Sequence, residues 1–297
     1  MHRRWIGRLV GFLTALIVSA LPAPLARAQS ATAPSSVLSA GFAQLYNLHF
    51  TAARETFQAY EQQQPGDPMG PAAEAASYLF EEFNRQGVLT SKFFMDDRKL
   101  LGGVDQPADP ALRGNFMDAT GRAREIANSS LKANSRDSGA LLALTICAGM
   151  QSDYEALIEK KQLASLHFMR ESQSTAQKLL AIDPNAGDAY VATGTAGYIV
   201  ACMPGYKRAF LWFNGVHGDK QRSMDQLRVA VQKGQYLQPF AKIMLALGSL
   251  REGQPAQARD LFAELAREFP ENEVFPRELV FATARASGAK MCSASPC

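Results

Sequence analysis

The side chains of this sequence that could do acid–base or metal chemistry are few and scattered. His49, His167 and His217 are the histidines beyond the first few residues, and they are far apart in the chain. An imidazole works as a base, shuttle or ligand only beside a second functional group. Each of these stands instead between apolar or small neighbours, Leu-His-Phe twice and Val-His-Gly once. The carboxylates that come in pairs are adjacent, Glu81-Glu82 and Asp96-Asp97. Successive helical residues point about 100° apart, so neither pair converges on one atom. A phosphate-binding loop, a His-Glu-x-x-His helix and a Gly-x-Ser-x-Gly elbow are absent from the sequence, and Gly194-Thr195-Ala196-Gly197 lacks both the third glycine and a preceding strand. The expectation is therefore no catalytic residue, no cofactor and no metal ligand. An active site assembled from distant residues is a third reading, and a polar cleft joining His167 or His217 to a carboxylate would mark it.

Cysteine and aromatic chemistry is more suggestive of binding. Cys147, Cys202, Cys292 and Cys297 allow three full pairings, and their order does not choose among them. Cys292 and Cys297 bracket Ser-Ala-Ser-Pro and could close a small loop, whereas Cys147 and Cys202 sit in apolar stretches that suit small buried hydrophobes. Tyr198, Tyr206, Phe210, Trp212 and Phe213 gather with Lys207 and Arg208. Such a cluster either fills a gap between helices or forms a recognition patch, because aromatic and arginine side chains dominate binding hot spots.

The elements that must position these residues read as helices, with little strand alternation. The chain opens with His2, Arg3, Arg4 and Arg8, a 13-residue apolar run from Leu9 to Leu21, and Ala26-Arg27-Ala28. That order is the pattern of a secretory signal peptide cleaved after Ala28, and the run is shorter than the roughly 20 residues that cross a bilayer. The expectation is an exported product, periplasmic or secreted, with no integral membrane segment after cleavage. Without Arg3, Arg4, Arg8 and Arg27 the 31 basic and 28 acidic residues change from a net +3 to −1. The basic character belongs to the leader, and no basic patch points to nucleic acid.

Apolar periodicity places helices at about 36–48, 51–63, 71–85, 111–134, 137–151, 153–182, 219–233, 236–252, 255–268 and 273–287. No second helix follows 71–85 at the proper distance, 111–134 and 137–151 read as a pair, and 153–182 reads as one long helix. A new unit begins near 187, and an insertion at about 202–218 displaces its partner.

Two stretches share one spacing. Ala53, Phe57, Tyr60 and Pro65, with Gly41 upstream, are matched by Ala258, Phe262, Leu265 and Pro270, with Ala246 upstream. This resembles the tetratricopeptide repeat, a helical pair recurring at about 34 residues that stacks into a solenoid. The resemblance is clearest over residues 34–67 and 239–272, and in detail it covers about a third of the chain after residue 28. It implies an all-α superhelix over 29–297, with Gly194 as another close-packing glycine; residues 288–297 read as a disordered tail.

The resemblance further implies a concave groove formed by the first helix of each pair. Its positions would be Leu38, Phe42, Leu45 and Tyr46; then Asp188, Val191, Thr195 and Tyr198; then Ile243, Leu247, Leu250 and Arg251. That implies a non-catalytic scaffold binding a protein or peptide at a bacterial cell envelope, with self-association open. The alternative is a carrier or sensor of a small apolar ligand in a pocket built by the 198–217 insertion.

Overall fold

The structure, a computed structural model, describes residues 34–203 and 218–288 together with Gly205 and Arg208. The expected leader, Tyr206, Phe210, Trp212 and Phe213, His217, Cys292 and Cys297 lie outside these residues, as does the tail beyond Gly288. Among the described residues there are thirteen helices and no strand. They are α1 (Pro34–Tyr46), α2 (Phe50–Gln63), α3 (Met69–Arg85), α4 (Ser91–Met95), α5 (Asp97–Gly102), α6 (Pro110–Ala133), α7 (Ser138–Leu157), α8 (Gln162–Ile182), α9 (Ala189–Cys202), α10 (Lys220–Lys233), α11 (Gln238–Arg251), α12 (Pro255–Glu268) and α13 (Val274–Ala286).

Local chemistry starts and stops these helices where the sequence allows. Asp109 accepts the backbone N–H groups of Ala111 and Leu112, Asp137 that of Ala140, and Asp219 that of Arg222, each satisfying amides that the first helical turn leaves without partners. Pro65 and Pro270 follow the C-caps of α2 and α12 and end those helices. Helix pairs then close on small residues. A methyl group added at Gly41 of α1 would overlap the ring of Phe57, which is fully buried on α2. At Gly194 of α9 it would lie 3.0 Å from Leu227 of α10, and at Gly248 of α11 2.7 Å from the sulfur of Met224.

Each long helix packs on the next, giving the pairs α1/α2, α3/α6, α7/α8, α9/α10 and α11/α12, with α13 covering the last. The fold is an α-α solenoid of stacked helix pairs. Two parts of the sequence-based expectation are corrected. Helix α3 does find its partner, α6, but only across the intervening α4 and α5, and α7 pairs with α8 rather than with α6. The expected helix over 153–182 is also broken at 158–161. There the Tyr154 carbonyl accepts N–H groups from both Ile158 and Glu159, and the Lys161 N–H donates to the Glu155 carbonyl. Lys160 takes the left-handed φ of 58°, so no glycine or proline announces the turn.

The inserted α4 packs inward, whereas most of α5 is exposed, and the chain turns in again after it. Phe93 and Val104 are buried, and the Val104 N–H donates to the Leu157 carbonyl at the end of α7. Gly103, at φ 75°, passes so close to that carbonyl that a side chain there would collide with it.

The two ends of the array meet. Phe42 stacks on Tyr236 at 5.2 Å between ring centres, and Tyr46 lies 5.3 Å from Phe269. The Tyr46 hydroxyl donates to the Tyr236 carbonyl at 3.1 Å. Buried Asn272 donates to the Tyr46 carbonyl at 2.7 Å and accepts the Val274 N–H at 2.8 Å. The first pair is thus bonded to the last, and the inner faces of the solenoid surround a common interior.

Candidate functional site

That interior contains a cavity of about 790 Å³. Every layer of the array contributes to its wall: Leu45 and Tyr46 from α1, Phe80 and Phe83 from α3, Phe94 from α4, Ala156 and Leu157 from α7, Met169 from α8, Ile199 from α9, Phe240 and Ile243 from α11, and Phe275 from α13. The lining is apolar because the first helix of each pair turns its most hydrophobic stripe inward. Leu163, at the start of α8, belongs to the lining and is also 78 % exposed, which puts it at the rim.

Among the described lining residues four are charged: Asp97, Asp153, Arg251 and Glu278. Arg251 is engaged twice, donating to Asp97 at 2.6 Å and to the Phe94 carbonyl at 2.7 Å. Glu278 accepts the backbone N–H of Ser91 at 3.0 Å. Burial raises its carboxyl above the ordinary value, against the lowering effect of Ser91. Asp153 has no hydrogen bond or ion pair with any described residue. It is only partly covered by other side chains yet lies deep in the protein, so the surface it still shows is cavity surface. Burial pushes its carboxyl up to about 7. The hydroxyl oxygen of another wall residue, Oγ1 of Thr195, is buried without a partner among the described residues as well.

The structure separates the groove positions into two groups. Leu45, Tyr46, Thr195, Ile243, Leu247 and Arg251 line the cavity. Leu38, Phe42, Val191, Tyr198 and Leu250 are buried in the packing between helices. Asp188 is buried and accepts the N–H groups of Gln235, Tyr236 and Leu237 at 2.9, 3.1 and 3.0 Å, clamping the turn before α11. Ala53, Phe57, Tyr60, Ala258, Phe262 and Leu265 are all buried where the repeat spacing puts them.

The remaining candidates lie away from one another. His167 is exposed beside Phe168, and His49 sits 3.3 Å from Glu271 at the surface. Cys147 is buried and its thiol is pushed up to about 12 by burial; Cys202 is half-buried in the cavity wall, and both are free thiols. No group of acids, histidines and cysteines among the described residues could hold a metal ion. No helix among them is long and apolar enough to cross a membrane. Sequence reasoning missed Asp153 and Glu278. The signal for Asp153 was one acid interrupting the stripe Gly149, Met150, Ala156, Leu157 of an otherwise apolar helix face.

No family model matches the chain, and no curated protein matches it. Among solved structures, a thermophilic TPR protein of Thermus thermophilus superposes with a TM-score of 0.44 at 15 % sequence identity, covering 84 % of this chain and 99 % of that one.

Proposed function

We propose that the chain is an exported, non-catalytic binding protein of the cell envelope that encloses one small apolar molecule. The observation that carries this reading is the cavity of about 790 Å³ surrounded by the inner helices. Pockets for small molecules range over roughly 300–1,000 Å³ and are lined mainly by apolar and aromatic side chains with a few polar groups. A peptide helix is a poorer guest. At a diameter near 10 Å and a rise of 5.4 Å, one turn fills roughly 400 Å³, so the space would take about two turns. A groove-bound helix would also need Leu38 and Phe42, both of which are buried, Phe42 against Tyr236 from the other end. The basic-apolar-small order of residues 1–28 supports export.

The test is saturable uptake of a neutral apolar dye, N-phenyl-1-naphthylamine, by residues 29–297. Its emission should rise to saturation in the native protein. Ile243→Trp, which fills the cavity from α11, should abolish that rise while leaving the helical circular dichroism unchanged. No rise in the native protein, or an equal rise in the variant, overturns the reading. Capture of envelope proteins that is lost in Phe42→Ala/Tyr46→Ala would then establish the scaffold alternative.

A further inference from the structure

The cavity wall is unevenly charged. Its one cation among the described residues, Arg251, is held by Asp97 and the Phe94 carbonyl. Glu278 has the Ser91 amide. Asp153 faces the cavity and has no such partner among the described residues. A carboxyl so placed has no protein partner in place of the bulk water it would have outside, and keeps only the water that the cavity admits. Two hydroxyl oxygens of the same wall, Thr195 Oγ1 and Ser91 Oγ, are buried with no described partner. A chain that buries polar atoms satisfies nearly all of them, so three unpartnered groups in one wall call for a guest that satisfies them.

We infer, on the premise that the cavity holds an apolar guest, that this guest carries a basic nitrogen and that its ammonium group rests on the carboxylate of Asp153. An ammonium supplies the missing charge and three N–H donors, while its hydrocarbon part meets the Phe, Leu and Ile side chains of the wall. A fatty carboxylate would face Asp153 and Glu278 with no free cation among the described wall residues to receive it. The site therefore selects alkyl- or arylamines over neutral and acidic molecules of the same length.

Titration calorimetry of residues 29–297 with decylamine, decanol and decanoate tests this at about pH 8, where alkylamines are charged and the carboxyl is ionised. Decylamine should bind roughly tenfold tighter than decanol or better, the usual strength of a charge-assisted hydrogen bond, and decanoate should bind least. In Asp153→Asn the preference for the amine over decanol should vanish. Equal binding of decanol and decylamine in the native protein overturns the inference and leaves the apolar cavity standing, as does an amine preference that survives in the variant. Failure of all three to bind removes the cavity reading itself, and the inference with it. If the variant does not fold, the order of the three ligands on the native protein still decides.

Discussion

Asp153 shows how one side chain can make the fold respond to pH. Its carboxyl ordinarily loses its proton near 3.9, and burial in the folded protein moves this up to about 7. The folded protein therefore keeps a proton that the unfolded chain has released over this interval. The sign follows from linkage: stability falls as pH rises from about 4 to about 7, and above that the penalty is constant. Asparagine has no proton to lose. Chemical unfolding of the guest-free native protein and of Asp153→Asn at about pH 5 and about pH 8 isolates the effect. Relative to the variant, the native protein should lose about 1–3 kcal/mol between the two values, the lower end reflecting water inside the cavity. An unchanged difference would mean that the carboxyl is as well solvated folded as unfolded. Glu61, also pushed up to about 7 by burial and by Glu74, is common to both proteins and cancels.

Between helices, the decisive variable is how closely two backbones approach. Gly41 lies against the fully buried Phe57, whereas Gly114 and Gly121 of α6 have open space where a side chain would go. Alanine is a better helix former than glycine by roughly 0.5–1 kcal/mol, so all three positions would gain from it in isolation. At Gly41 the overlap with Phe57 outweighs that gain, because overpacking a tight core costs about 1–3 kcal/mol. Thermal unfolding should therefore show a lower Tm for Gly41→Ala and a higher one for Gly114→Ala. A rise in both would mean that the α1/α2 contact is loose. This contrast also shows what was legible in the sequence. The Gly41–Phe57 spacing encodes a contact between neighbouring helices, and Ala246 and Phe262 repeat that spacing on α11 and α12, so the two terminal pairs could be read directly. The α3/α6 pairing could not, because 24 residues (86–109) intervene and no spacing rule reaches across them. The α7–α8 turn was invisible for another reason. It is made by backbone carbonyls and a lysine with positive φ, and apolar periodicity continues past it.

For the molecule as a whole, the consequential contacts are those between its ends. The cavity wall combines α1, α7 and α13, and no local pattern records that these meet. In an open helical array each unit touches only its neighbours, and the terminal units fray first. Here α1 is held by Tyr236, Phe269 and Asn272 from the other end of the chain. Hydrogen exchange should find the inner amides of α1 and α13 protected to within about 1 kcal/mol of global unfolding. Asn272→Ala, which leaves the buried Tyr46 carbonyl and Val274 amide without their partner, should lower global stability by roughly 2 kcal/mol and that of α1 by at least as much. Early exchange of α1 in the native protein would mean that the junction is a loose touch rather than a seal. The same junction restricts how such a chain can evolve. An open stack can gain or lose a repeat by duplication and still work, but a ring closed by five pairs admits no sixth. Change must come instead through loops that lengthen, as the stretch carrying α4 and α5 does, so that diversity among such chains would be stored in the loops and not in the number of pairs.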